Sequence, residues 1–479
     1  MAQRSSPLSA QPAVPPLLVA LQTLLAAHRP AFAQARPYQR SVALVFASLF
    51  AFARHTVTQL LLALGLTDSD WSAWYRLFSV PRLDYDALSA QFLRETLVQL
   101  PADGPYVTVV DGVQLPRNSR RMPGTSWLKA PRTPPWKVGI HRAQRFVHLA
   151  ALLPRTLAGY SRALPLRWAP AYPATAVPAR TPPRKEWAAA RDELTWLRDQ
   201  LDAAGRAAQR LLAVGDGAYS IADLFACLPA RTSLLARCAK NRALFHLPPT
   251  PVAKRRGAPR KYGARARTPA AWLDERDGWQ DASVPVRGRT IPLRYRVAGP
   301  FLVKRAAVQP LFLLVVRGVA GARRWRRREP SYFLVSAIPD GDGWALPLPA
   351  HELLAWAWQR WEVEVCHREL KAGFGLGEIQ SWNATATEVA AQWQSWVYAV
   401  LVLAGVRAWG LTESPLRPPG RWWGGAGRWS LGTLWRGYRQ ALWGVGEFRA
   451  LSTATGADWW PKADLLTSLQ NAASAALRA

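Results

Sequence analysis

Two short apolar runs constrain the fold more than anything else in the chain. Each ends in Asp-Gly. In the first, PYVTVVDGVQLP (Pro105–Pro116), Val107, Val109 and Val110 are β-branched and Asp111 follows directly. In the second, RLLAVGDGAYS (Arg210–Ser220), Asp216 lies between Gly215 and Gly217. Unbroken apolar runs of this length read as strands buried on both faces. Each strand is expected to deliver its aspartate at or near its end. A buried carboxylate is costly unless it is paired or holds a metal. Between the runs the pattern gives strands at Phe146–Leu153 and Leu164–Tyr172 and an amphipathic helix over Lys185–Leu211. A short helix at Ile221–Leu228 and a strand at Ser233–Ala239 follow. The order is β–β–β–α–β–α–β. Two such motifs in this α/β order, with a carboxylate helix to follow, favour a functional site over two separate turns. The simpler reading of either Asp-Gly pair alone is a strand-end turn.

A third carboxylate joins them from a helix. HELLAWAWQRWEVEVCHRELKAGFGLG (His351–Gly377) reads as one helix ending where Gly373, Gly375 and Gly377 accumulate. At about 100° per residue, Arg360, Glu364, His367 and Lys371 fall in one stripe about 60° wide. Glu362 and Glu369 point the opposite way. Alone, the stripe is an ordinary i,i+4 charge ladder.

Charge and composition narrow the class. Lys and Arg number 62 against 31 Asp and Glu, a formal net charge of +31 over 479 residues. An excess spread along the whole chain calls for a polyanionic partner, nucleic acid first. Two runs concentrate it: Arg117–Arg145, read as a basic, Pro-rich loop along a phosphate backbone, and KRRGAPRKYGARAR (Lys254–Arg267), a Gly/Pro-interrupted phosphate-neutralising loop. In the second run Lys254, Arg255, Arg256, Arg260 and Lys261 are the candidate DNA contacts. The three cysteines, Cys227, Cys238 and Cys366, have no CxxC spacing and suggest neither a disulfide framework nor a zinc site. The apolar stretches 41–53 and 397–406 are too short to span a bilayer. A cytoplasmic protein with no membrane partner is the expectation.

The flanks differ from this core. Leu17–Leu100 is helical in pattern. Within it Thr56–Phe78 reads as a helix-turn-helix, with Thr67 and Ser69 as N-caps and Trp74 and Arg76 available to DNA. An ordinary αα-hairpin fits the same pattern. Strand-like segments at Ser283–Val297, Leu311–Gly318 and Ser331–Ile338 form a β-rich stretch before the glutamate helix. Thr385–Trp409 is a long apolar helix. The expected division is a helical DNA-binding region 1–104, a first core part 105–239, a β-rich basic insertion 240–345, a second core part 346–410 with the glutamate helix, and a helical, Trp-rich region 411–479.

The ordered set VVDG at Asp111, VGDGAYS at Asp216 and QRWEVEVCHRELKAGFGLG at Glu364 resembles the DDE transposases of bacterial insertion sequences. It is similar in particular to the branch with a Tyr-x2-Arg-x3-Glu-x6-Lys signature. Arg360, Glu364 and Lys371 stand at those spacings. The tyrosine position is Ala357, between Trp356 and Trp358. The resemblance covers residues 100–410. It implies an RNase H-like mixed sheet flanked by helices, interrupted by a β-rich insertion. It implies Asp111, Asp216 and Glu364 as catalytic and metal-binding, with two Mg²⁺ ions about 4 Å apart, for which Mn²⁺ can substitute. Hard cations with water positions take carboxylate oxygens. Asp111 would bridge both ions, and Asp216 and Glu364 would each hold one. Arg360 and Lys371 would hold DNA phosphates, and His367 a structural or phosphate contact. The implied activity is cleavage at element ends and strand transfer. The implied partners are the terminal inverted repeats and target DNA, with the protein a homodimer in the complex. A DNA-binding derivative without cleavage, or a nuclease without strand transfer, is the alternative.

Overall fold

The computed structural model describes residues 14–51, 53–130, 139–176, 182–249, 260–318, 329–415 and 428–444. The chain divides into two compact units, residues 1–84 with 400–479, and residues 85–399.

The first unit is helical: α1 (Pro16–Ala27), α2 (Ala35–Phe50), α3 (Val57–Ala63), α4 (Ser72–Ser79) and, from the far end of the chain, α11 (Leu431–Gly444). From Ser41 to Phe50 every residue of α2 is buried, which makes it the unit's central helix. The Thr56 hydroxyl caps α3 by accepting from Gln59 N at 3.3 Å. Gly65 closes it in the left-handed region at φ 71°, with Leu66 N reaching back to Leu61 O at 3.1 Å. That is a Schellman ending. The two-helix expectation is correct in outline and wrong in its caps. α4 starts later than Thr67 or Ser69 allow, and the Asp70 carboxylate accepts from Ser72 N at 2.8 Å. Trp74 is buried, with the Arg40 guanidinium over its ring, so it is core and not a DNA contact. Arg76 remains exposed.

The second unit holds α5 (Tyr85–Leu97) and one large sheet. Its strands are β1 (Tyr106–Pro116), β2 (Thr125–Lys129), β3 (Ile140–Leu152), β4 (Ala163–Pro170), β5 (Leu211–Gly215) and β6 (Thr232–Arg237). Next come β7 (Phe245–His246), β8 (Gln280–Val286), β9 (Arg289–Val303), β10 (Ala306–Gly318) and β11 (Ser331–Ser336). β12 (Ile338–Asp340) and β13 (Gly343–Ala345) form a separate hairpin. Helices α6 (Glu186–Ala203), α7 (Ala222–Ala226), α8 (Ala350–Gln359), α9 (Trp361–Gly373) and α10 (Ala384–Trp409) complete the set, the last ending in the first unit. The sheet order is β2-β3-β1-β5-β6-β11-β10-β9-β7, with β4 on β3 and β8 on β9. β1, β3 and β4 are antiparallel neighbours, while β1, β5 and β6 run parallel. This is the RNase H-like mixed sheet. β5 is buried at every residue, as its unbroken apolar run requires. α6 buries Ala189, Ala190, Leu194, Leu197 and Leu201, a 3.6-residue stripe laid on β3 and β4.

Several boundaries shift from expectation. The segment Ser283–Val297 is two strands, β8 and β9, turning at Arg287–Gly288. The β-rich stretch extends the core sheet through β11, which pairs with β6. The basic run Arg117–Arg145 contains β2 and the start of β3. Arg117 itself is buried and donates to Gln144 Oε1 and to the carbonyls of Gly377 and Ile379, so it is a structural tie. α10 is long and apolar enough to cross a membrane, but 94% of its apolar window is buried inside the protein, as in a core helix.

Candidate active site

Register brings the two aspartates together. The parallel pairing of β1 with β5 ends at Val110↔Gly215, so Asp111 and Asp216 are the next residues on neighbouring strands. Neighbouring strands lie about 4.8 Å apart. Asp111 does not end its strand as expected. β1 runs on to Pro116 because β3 still pairs with it, Asp111 opposite His148. β5 does stop, and the sheet forks at the pair. Beyond the fork Asp216 Oδ1 accepts from Ala218 N at 2.8 Å and caps a single 3₁₀ turn, Gly217–Tyr219. A side chain at Gly215 would press on Tyr219 Cβ, 2.9 Å from the Cβ position.

The third carboxylate faces the fork from α9. The helix expected over His351–Gly377 is two, α8 and α9, with Arg360 at the joint, and α9 ends at Gly373. Arg360 stands between the carboxylates: Nη2 donates to Glu364 Oε1 at 3.2 Å, and Nη1 lies 3.9 Å from Asp111 Oδ1. Glu362 and Glu369 take the other side. Glu362 accepts from Arg287, and Glu369 from Arg162 and the Tyr398 hydroxyl. Among the described residues no three His, Cys, Asp or Glu side chains converge tightly enough to hold a metal ion. Burial raises the Asp111 carboxyl to about 7; Arg360 opposes the rise, and the neighbouring Asp216 and Glu364 charges reinforce it. The set nevertheless suits a hard divalent cation. Its donors are all carboxylate oxygens, and a cationic guanidinium already lies between two of them.

His367, on the same stripe, turns inward. It shares a hydrogen bond of 2.8 Å with His148, which stacks on Trp168 at 4.5 Å between ring centroids. Burial, with Lys371 and Arg360 nearby, lowers His367 to about 3. It is neutral near pH 7, so its approach of 3.7 Å to Asp111 Oδ2 is not an ion pair. Lys371 is exposed. A cleft of about 450 Å³ opens beside Asp216 and is lined by Gly217, Arg237, Ala357, Trp358, Arg360 and Trp361. Ala357, at the signature's tyrosine position, therefore lies on the cleft wall. Trp356 is buried against Arg155.

Of the basic run, Lys254, Arg255 and Arg256 lie outside the described residues. Arg260 and Lys261 are exposed. The backbone that follows them is tied down, with Gly263 N donating to His246 O and Ala266 N to Leu244 O, each at 2.9 Å. This places them beside β7, the sheet edge, five strands from β5 and thus roughly 24 Å from the fork.

Sequence reasoning missed a fourth carboxylate. Glu186 opens α6; its Oε1 accepts from the Tyr219 hydroxyl at 3.1 Å and its Oε2 pairs with Arg145 at 3.2 Å. It rests on Gly112, where a Cβ would collide with Oε1. A glutamate in a helix's first turn is common, so nothing in the sequence singled it out.

An RNase H-like sheet with two aspartates at its parallel fork and a helix-borne glutamate opposite defines a class, the nucleases built on this core. Residues 29–300 match the DDE superfamily endonuclease family, more than half of the chain, and the protein belongs to that family. The matched span includes Asp111 and Asp216 and ends before Glu364. A search of curated proteins gives no match.

Proposed function

We propose that this protein is an insertion-sequence transposase that cuts DNA at the element's ends and joins those ends to target DNA. The observation that carries the reading is Asp111 and Asp216 side by side at the fork, with Glu364 facing them across Arg360. Asp111, Asp216 and Glu364 would hold Mg²⁺, or Mn²⁺ in its place. When bound, the ions supply Lewis acidity at the scissile phosphate and an activated oxygen nucleophile. The chain's own groups do the rest. Arg360 exchanges its carboxylate partners for a DNA phosphate, and Lys371 on the exposed side of α9 takes a second. Arg237, Trp358 and Trp361 wall the cleft and limit water around the reacting strand. His148 and His367, both neutral, fill the space behind Asp111 without adding charge. The net charge of +31 supports a duplex partner extending well beyond the cleft. Two copies of the chain, one at each element end, would form the complex.

The test uses the purified full chain with Mg²⁺ and a duplex carrying the inverted repeats that flank the gene, beside a supercoiled target. Cleaved ends and joined products, both absent in Asp111→Asn, are the expected result. Binding without cleavage would make the protein an inactive derivative. Cleavage without joining would make it a nuclease.

A further inference from the structure

Glu364 faces Asp111 only if α9 keeps one rotation about its axis. The opposite side of α9 carries Glu362 and Glu369, two turns and about 10 Å apart along that axis. Each is held by an arginine from another element. Glu369 meets Arg162 at 3.4 Å and the Tyr398 hydroxyl at 2.7 Å, both deep in the core. Glu362, only 2% exposed, accepts from Arg287 Nε at 3.0 Å and Nη2 at 2.7 Å.

Arg287 is not a core residue. It and Gly288 form the turn between β8 and β9, both in the left-handed region at φ 52° and 74°. The turn is seated on the β3–β4 connection: Arg287 N donates to Gly159 O at 3.0 Å and Gly288 N to Ala158 O at 2.7 Å. Gln359, the last residue of α8, donates to the same Gly159 carbonyl at 2.7 Å. Gly159 sits at φ 75°, and a Cβ there would collide with the Pro285 carbonyl. Three elements thus meet at the α8–α9 joint, where Arg360 keeps helical backbone angles and its N donates to Trp356 O at 3.1 Å.

We propose that Arg287 is a positioning residue for Glu364. Seated on Ala158–Gly159, the β8–β9 turn holds the first turn of α9 through Glu362 and so fixes where the Glu364 carboxylate stands relative to Asp111. The proposal rests on Glu364 being a metal ligand. It gives the β-rich stretch before the glutamate helix a direct hold on the site.

The test compares full-length wild type with Arg287→Met, Arg287→Lys and, as a reference for the site, Asp111→Asn. Mn²⁺ binding at pH 8 is followed by electron paramagnetic resonance of the free ion. Amide hydrogen exchange is measured along α9 without metal. Arg287→Met should bind Mn²⁺ about tenfold more weakly, the loss typical of a group supporting a metal ligand, with Arg287→Lys between it and wild type. Exchange should accelerate at residues 361–366 and stay unchanged at 369–373, which Arg162 and Tyr398 still hold. Wild-type Mn²⁺ affinity in Arg287→Met, or exchange unchanged or uniformly faster along α9, overturns the proposal. If wild type binds no Mn²⁺, the metal reading fails, and exchange alone then decides whether Arg287 holds the helix. Should Arg287→Met not fold, Arg287→Lys carries the same comparison.

Discussion

Replacing Asp111 by Asn should stabilise the metal-free protein while removing its chemistry. Asp111 titrates at 3.8 in the open chain and at about 7 in the fold, chiefly because it is buried. Its folded pKa is raised, so its contribution to stability is complete below pH 3.8 and is lost as pH rises through about 7. At about 1.4 kcal/mol per pKa unit, the loss reaches about 4 kcal/mol by pH 8 and about 2 kcal/mol at pH 5. That penalty is already net of the attraction to Arg360, which opposes the rise, so Asn, which cannot ionise, escapes all of it. The expected gain is about 4 kcal/mol at pH 8 and about 2 kcal/mol at pH 5. Urea unfolding in EDTA at the two pH values measures it, with an unchanged m-value showing that the same transition is compared. Mg²⁺ at ten times its Kd should then stabilise wild type by about 1.4 kcal/mol and leave the variant unmoved. A variant no more stable than wild type at pH 8 would refute the reasoning, because Asp111 would then carry no strain for a cation to relieve.

Glu364→Gln should abolish Mg²⁺-dependent cleavage with stability within about 0.5 kcal/mol of wild type and DNA binding retained. Glu362→Gln should instead lose about 2 kcal/mol in urea unfolding, since it weakens the charge-assisted hydrogen bonds between a buried carboxylate and the half-exposed Arg287. Gly112→Ala should cost about 1 kcal/mol, because the Glu186 carboxylate must swing aside and lose its bond to the Tyr219 hydroxyl, and a Glu186→Ala background should recover most of that. Duplex affinity measured from 50 to 200 mM salt should fall about a thousandfold, and replacing the basic residues of Lys254–Arg267 should flatten the slope; an unchanged slope would make that run a linker.

The parts of the fold that were legible are those written in local pattern. β1 and β5 announce themselves as unbroken apolar runs, and α10 as an apolar stretch bounded within a residue of the observed helix. What escaped is what depends on partners distant in sequence. Asp111 reads as a strand end because Gly112 follows it, yet β3 continues the pairing to Pro116. His148 lies opposite Asp111 by register alone, and a register cannot be read from one strand. The break at Arg360 has no Gly or Pro to signal it. The Arg287–Gly288 turn did leave a signal, since Gly288 stands there and the apolar alternation changes phase across it, from Val284 and Val286 to Ile291, Leu293 and Tyr295. At the site, the helical stripe correctly separated Glu364 from Glu362 and Glu369, because that separation needs only the angle per residue. Glu186 needed the packing of α6 against the fork.

The most direct measurement is a crystal soaked in Mn²⁺ and read by anomalous scattering. The account predicts density bounded by carboxylate oxygens of Asp111, Asp216 and Glu364 at about 2.0–2.2 Å, with Arg360 turned away from Asp111. Manganese elsewhere on the chain, with Arg360 still bridging Asp111 and Glu364 at saturating metal, would contradict it.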